Sequence, residues 1–162
     1  MQNPLQDASH ADDLITRRSV TGYVLLIGHA FIKWYSKGQN TVESSTYGSE
    51  LVSIIITIEA LLDRRYKLRM MGLNFEPTSN LLFDNYAVIL NTQLPCSSSK
   101  KKHNSVAYHK CREAVAAGII RTGHIPGEHN VADVLTKAKS PAEHYRLLRE
   151  SFFRQGVDQL TH

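Results

Sequence analysis

Cysteine is scarce in this sequence, which has only Cys96 and Cys111. Two cysteines without a framework spacing exclude a disulfide-rich secreted scaffold and favour a reducing compartment. A zinc site that combines them with His103 and His109 is an alternative, but the spacing matches no common zinc motif. We therefore expect neither a structural disulfide nor a zinc site.

A signal peptide and long apolar runs are also missing from the sequence. No stretch is long and apolar enough to cross a bilayer, so we expect a soluble intracellular protein, cytoplasmic or nuclear, without a membrane partner. Positive charge is in modest excess, with 19 Lys and Arg against 15 Asp and Glu. The net charge of +4 is compatible with a polyanionic partner but does not establish one.

The most regular pattern that is present covers residues 44–71. Apolar residues recur there at spacings of three and four, which predicts a helix with a wide apolar face. Ser44 or Ser45 can cap its start, and Gly72 can adopt the left-handed conformation that ends a helix. Glu50 is expected at the edge of the buried face. A favourable interaction with the helix N-terminus is an alternative reason for its position.

The segments around this helix predict a mixed α/β fold. Two β-prone runs, Thr21–Gly28 and Ala30–Ser36, predict an antiparallel hairpin before the helix. After the helix, strands are predicted at 80–84 and 119–125. They alternate with helices at 85–91 and 105–117 and with a last helix that begins after Ser140. This order predicts one domain over residues 1–153, a mixed β-sheet flanked by helices, followed by a tail at 154–162.

Four acidic residues lie where the fold could bring them together. Asp7 precedes a polar loop, and Glu50 lies near the start of the long helix. Asp84 ends a strand, and Asp133 enters a helix after a turn. If they converge, they need a cation, because like charges at short range otherwise force protonation; oxygen-only ligands select Mg²⁺ or Mn²⁺. Spacing alone leaves open the alternative that each acid is a cap or a solvated loop residue.

Several motifs surround these acids in a fixed order. They are Asp7–Asp13 with Thr16–Val24, Ile32–Lys37, Gln39–Glu50, Phe83–Asn85, Lys100–His103, Tyr108–Glu113 and His124–Lys137. Together they resemble the ribonuclease H domain at the C-terminal end of copia-type retrotransposon polyproteins. Each motif is weak alone, but their order and spacing over residues 7–153 are specific to that family.

The resemblance implies a ribonuclease H-like fold and a metal-dependent endonuclease. It implies hydrolysis of the RNA strand of an RNA–DNA hybrid during reverse transcription, which leaves a 3′-hydroxyl and a 5′-phosphate. It also implies an upstream reverse transcriptase domain and, for a complete polyprotein, a retroelement particle. The catalytic residues would hold two Mg²⁺ ions, for which Mn²⁺ can substitute; the residues so implied are Asp7, Glu50, Asp84 and Asp133.

Two further groups of residues are candidates for auxiliary roles. Some ribonucleases H have a histidine on a loop before the last acid, and His124 and His129 are the candidates here, with ordinary loop residues as the alternative. The cluster Lys100, Lys101 and Lys102 could neutralise phosphates of the hybrid, and a solvated loop is the equal alternative.

The sequence departs from the family before the first acid. Pro4 and Gln6 stand where β-rich residues are usual, and proline has no N–H for a central strand. We therefore expect a short first strand that begins no earlier than about Pro4, with Asp7 held less firmly than the other acids. The chain also begins almost at Asp7, which suggests a piece of a polyprotein or a degraded copy. A catalytically inactive remnant that binds nucleic acid weakly is thus the alternative function; the order of the acids disfavours an integrase.

Overall fold

The computed structural model describes residues 4–11, 15–28, 30–73, 78–93 and 105–153, with side chains to residue 149. Its five strands are β1 Leu5–Ala8, β2 Val20–Ile27, β3 Ala30–Gly38, β4 Ser79–Phe83 and β5 Ile120–His124. The α-helices described are α1 Thr46–Met70, α2 Tyr86–Gln93, α3 Ser105–Ala116 and α4 Pro141–Phe153. Two short 3₁₀ helices, Gly127–His129 and Val131–Leu135, lie between β5 and α4.

The strands form one mixed sheet in the order β3-β2-β1-β4-β5. β2 pairs antiparallel with both β1 and β3, whereas β4 pairs parallel with β1 and β5. The predicted hairpin and the predicted mixed sheet are therefore confirmed. Because β1 and β4 are parallel neighbours, their carboxyl ends meet at the same edge of the sheet, and this edge carries two of the predicted acids.

The long helix α1 is terminated as the sequence predicts. The Ser45 side chain accepts a hydrogen bond from the Gly48 N–H, and Gly72 has a φ of +80° after the last turn. One side of α1 packs into the main apolar core, where burial of aliphatic surface holds the helix on the sheet. The core residues shared by α1 and the strands are Leu51, Ile54, Ile58, Leu61, Leu81, Phe83 and Ile120.

The first strand is short, as expected from Pro4. It begins at Leu5 and has four residues, although it is the central strand of the sheet. Pro4 still contributes to the sheet, because its carbonyl accepts a hydrogen bond of 2.9 Å from the Leu82 N–H. The proline therefore limits where the strand begins without removing it from the centre of the fold.

The segment after β5 brings Asp133 to the same edge. Asp133 lies on a 3₁₀ helix of five residues, whose start is capped by the Asn130 side chain. The Asn130 amide also donates a 2.9 Å hydrogen bond to the carbonyl of Gln6 on β1. Gly22 on β2 allows close approach, because a Cβ there would lie 2.6 Å from Cγ2 of Thr136. The 3₁₀ helix is thus fixed against the two central antiparallel strands.

Some predictions fall outside the described residues. These are the triple lysine at 100–102, Cys96 and His103, and the tail at 154–162. The proposed division into a domain at 1–153 and a tail stays a prediction. Among the helices described, none combines the length and apolar character that a membrane span requires.

Candidate active site

Three of the predicted acids converge at the edge of the sheet. Asp7 is on β1, Glu50 is in the second turn of α1, and Asp84 directly follows β4. Each offers one carboxylate oxygen, and these oxygens lie within 4.8 Å of one another. The Ser53 hydroxyl of α1 donates a 3.0 Å hydrogen bond to the Asp7 carbonyl, which fixes the helix against β1. Hard oxygen ligands at this spacing fit Mg²⁺ or Mn²⁺.

The three carboxylates open into a cleft of about 390 Å³. Seven of the eight residues that line it have a polar or charged side chain. The residues that line it are Asp7, Ala8, His10, Thr46, Glu50, Asp84, Asn85 and Lys137.

Glu50 is the most strongly perturbed acid of the cleft. Only 3% of its surface is exposed, and this burial raises its pKa to about 8. The Gln6 amide donates a 3.0 Å hydrogen bond to the Glu50 carboxylate and lowers the pKa, whereas repulsion from Asp7 and Asp84 raises it further. The net effect is an acid that is difficult to ionise without an added cation.

Asp7 is buried like Glu50 but has more partners. Burial raises its pKa, and a hydrogen bond from the Thr136 hydroxyl and the nearby Lys137 ammonium oppose that rise. Its main chain pairs with Gly22 of β2. The contacts of Asp7 therefore give no support to the expectation that it is held less firmly than the other acids.

Asp133 has a different environment and is not part of the three-carboxylate group. Lys137 Nζ lies 2.6 Å from Oδ1 of Asp133 and 3.5 Å from Oδ2 of Asp7. Lys139 Nζ contacts Oδ2 of Asp133. Burial alone would raise the pKa of Asp133, but the hydrogen bonds from the two lysines hold that pKa below its usual value. Burial favours the neutral amine of Lys137, yet the hydrogen bond to Asp133 and the charge of Asp7 raise its pKa.

Curated relatives of the chain are transposon polyproteins. The chain is 31% identical over 134 residues, 83% of its length, to the retrovirus-related Pol polyprotein from transposon RE2 of Arabidopsis thaliana. It is 29% identical over 144 residues, 89% of its length, to the corresponding polyprotein from transposon TNT 1-94 of Nicotiana tabacum. The chain spans only 9% and 11% of these two relatives. No family model matches the chain.

Solved structures identify the fold. RNase H1 from Halobacterium salinarum superposes with a TM-score of 0.62 at 16% identity, covering 90% of this chain and 97% of that one. LC11-RNase H1, isolated from compost, superposes with a TM-score of 0.64 at 15% identity, covering 83% of this chain and 91% of that one. That enzyme has also been solved in complex with an RNA/DNA hybrid, with a TM-score of 0.61, 16% identity and coverage of 84% and 94%. The chain is a ribonuclease H-fold domain related to transposon Pol polyproteins.

The two candidate histidines of this ribonuclease H-fold domain are not among the residues that line the cleft. His124 ends β5 and packs edge-on against Tyr86, with the ring centroids 6.0 Å apart. His129 lies on the first 3₁₀ helix, 3.6 Å from the Glu128 carboxylate. The auxiliary role of either histidine stays a prediction.

Several residues that support the acids are not evident from the sequence. In the sequence, Gln6 stands out only as a departure from the family, although its side chain is fully buried beside Glu50. His10 lines the cleft, and its Nδ1 lies 3.0 Å from Oγ of Ser49. In the sequence, Lys137 is the last residue of the closing motif His124–Lys137 and lies four residues after Asp133, the spacing of a helical ion pair.

Proposed function

We propose that this domain is a metal-dependent ribonuclease that hydrolyses the RNA strand of RNA–DNA hybrids. The observation that carries the proposal is the convergence of Asp7, Glu50 and Asp84 in an open polar cleft. The fold supports it, since LC11-RNase H1 shares that fold and has been solved in complex with an RNA/DNA hybrid. The relationship to transposon Pol polyproteins supports a role in reverse transcription.

The residues that would hold a divalent ion are Asp7, Glu50 and Asp84, and Asp133 would complete the family's set of ligands. When bound, Mg²⁺ or Mn²⁺ supplies activation of water and neutralisation of the charge that develops on the phosphodiester. No protein nucleophile is required for such a reaction.

Neighbouring side chains orient the two buried acids of the site, Asp7 and Glu50. Gln6 orients the Glu50 carboxylate, and the Thr136 hydroxyl orients that of Asp7. Because both acids are buried, their attraction for a cation is stronger than it would be in water. If the cleft takes an RNA–DNA hybrid, recognition by helix shape and 2′-hydroxyls with little base preference is expected.

The biological setting is part of the same proposal. We infer that the domain acts in a Pol polyprotein together with a reverse transcriptase domain, as the resemblance implies. Reverse transcription produces an RNA–DNA hybrid, and such a ribonuclease hydrolyses the RNA strand of that hybrid. The two Mg²⁺ ions implied by the resemblance are also part of the proposal. The lysines that contact Asp133 affect how a second ion could bind there.

The direct test uses a hybrid with an end-labelled RNA strand, incubated with the purified chain and either Mg²⁺ or EDTA. We expect cleavage of the RNA strand only with Mg²⁺, with 3′-hydroxyl and 5′-phosphate ends. A DNA duplex of the same sequence serves as the substrate control. The Asp84→Asn variant, purified in parallel, controls for ribonucleases of the expression host. No cleavage by a folded chain that binds Mg²⁺ would contradict the proposal and favour an inactive remnant.

A further inference from the structure

Lys137 lies between two buried acids of the site. Its ammonium is 2.6 Å from Oδ1 of Asp133 and 3.5 Å from Oδ2 of Asp7, so one positive charge serves two carboxylates. Both acids are at least 95% buried, while 43% of the Lys137 side chain is exposed. A long side chain that is half in solvent can leave its partners without unfolding the segment that carries it.

The surface pair of Lys67 and Asp63 shows that this arrangement is not a routine ion pair. It has the same spacing of four residues and an Nζ–Oδ2 distance of 2.8 Å, but the two side chains are 58% and 46% exposed. Exposed pairs of this kind contribute little, because water screens both charges. Lys137 instead neutralises carboxylates that are out of solvent, where an uncompensated charge is costly.

Both carboxylate oxygens of Asp133 are occupied by lysines. Lys137 takes Oδ1, and Lys139 takes Oδ2. The three-carboxylate group differs, since the Glu50 carboxylate has the neutral Gln6 amide as its hydrogen-bond partner. A cation that approaches Glu50 therefore meets a carboxylate with a neutral partner, whereas a cation that approaches Asp133 meets two ammonium groups.

We propose that the Lys137 ammonium occupies the position of a second cation, so that a second divalent ion binds only by displacing it. The domain accordingly binds one divalent ion tightly, at Asp7, Glu50 and Asp84, and a second one weakly. Lys137 is in this sense a positioning residue that sets metal stoichiometry. The inference rests on the proposed metal-dependent function. It adds that the position of the Lys137 ammonium determines whether a second divalent ion binds.

The test is a titration of the full chain with Mn²⁺ in the absence of nucleic acid, followed by electron paramagnetic resonance of free Mn²⁺. For the unmodified chain we expect one tight ion and a second that binds roughly tenfold or more weakly. Lys137→Met should lower the Kd of the second Mn²⁺ ion by roughly tenfold or more, and it should change the Kd of the first ion less. Lys67→Met removes the same charge from the matched surface pair and should behave like the unmodified chain.

A second variant is needed in case Lys137→Met folds poorly, since that change removes the ammonium near Asp7 and leaves Asp133 with Lys139 alone. Lys137→Gln keeps an N–H donor for Asp133 but no charge, and it should tighten the second site in the same direction. Lys139→Met should have less effect, since Lys139 contacts Asp133 but not Asp7 in the described contacts. Circular dichroism shows which variants are folded.

The outcomes separate the two proposals. Two equivalent sites in the unmodified chain would overturn the role of Lys137, as would a second site unchanged in both Lys137 variants, while the first tight ion would continue to support the proposed function. Failure to bind any Mn²⁺ would overturn the metal-dependent function and the lysine inference together.

Discussion

The four predicted acids fall into two regions in which the pKa of a buried carboxyl group is shifted in opposite directions. On one side, Glu50 is buried beside two other acids, and burial raises its pKa to about 8. On the other side, two lysines hold the pKa of the buried Asp133 below its usual value. Asp7 lies between them and belongs to both. The first region has the Lys137 ammonium at its margin, 3.5 Å from Asp7, whereas in the second region two lysines contact one carboxylate.

This difference indicates where a cation is needed. Like charges that are close and out of water either take up protons or bind a metal ion. The group of Asp7, Glu50 and Asp84 is therefore arranged to bind an ion, and it lowers the stability of the fold when no ion is bound. The Asp133 region is stable by itself, since its lysines belong to the chain.

The largest effect is expected from removing one charge of the three-carboxylate group. Asp84→Asn should lower the rate of hybrid cleavage roughly thousandfold, about 4 kcal/mol, because a ligand charge is lost. Asp133→Asn should cost less, since its carboxylate is already paired with lysines. Single-turnover kinetics at saturating hybrid measure both losses. Equal losses for the two variants would show that the two regions do not differ in function.

The next effect concerns stability without a metal ion. Burial raises the pKa of Glu50 from 4.5 in the unfolded chain to about 8, so the folded state binds the extra proton. The stability that Glu50 contributes is therefore fully present below pH 4.5 and is lost as the pH rises through about 8. Glu50→Gln should increase the free energy of unfolding above pH 8 by up to about 5 kcal/mol, with little change near pH 4.5.

Urea unfolding in EDTA at a series of pH values measures this difference. Added Mg²⁺ should reduce it, because an ion at the site stabilises the ionised carboxylate only in the unmodified chain. A difference between Glu50→Gln and the unmodified chain that does not change between pH 5 and pH 9 would contradict the assigned pKa of about 8.

A smaller effect is expected at the contact that fixes the Asp133 region to the sheet. A Cβ at Gly22 would lie 2.6 Å from Cγ2 of Thr136 and 3.0 Å from the carbonyl of Ala132. Gly22→Ala should therefore destabilise the domain by about 1–3 kcal/mol. Gly38→Ala is the matched control on β3, because nothing lies within 4 Å of the added Cβ. Thermal unfolding compares the two, and equal melting temperatures would show that the 3₁₀ segment is not tightly docked.

Much of the fold could be predicted from local sequence. The apolar periodicity, Ser45 and Gly72 defined α1 closely, and the capping box of α4 is present, with Ser140 and Glu143 exchanging hydrogen bonds. The hairpin of β2 and β3 was predicted from two β-prone runs around Gly28. These features depend on neighbours in the chain, so they are visible without tertiary structure.

The site could be predicted only in part. The resemblance supplied the acids, but spacing could not show that Asp7, Glu50 and Asp84 meet while Asp133 pairs with two lysines. That division depends on contacts between segments more than 100 residues apart, such as Thr136 with Asp7.

Gln6 illustrates the same limit. As a residue in a sequence it is a weak strand former, whereas in the fold its amide is the hydrogen-bond donor to Glu50. Its role depends on α1 packing across β1, which no local pattern reveals.

The position of a bound Mn²⁺ ion tests the central claim most directly. Anomalous diffraction from crystals of the unmodified chain soaked in Mn²⁺ would locate the ion without dependence on activity. The account predicts one strong peak within coordination distance of Asp7, Glu50 and Asp84, with weak or no density beside Asp133. A strong peak beside Asp133 without one at the three carboxylates, or no peak at either place at millimolar Mn²⁺, would contradict it.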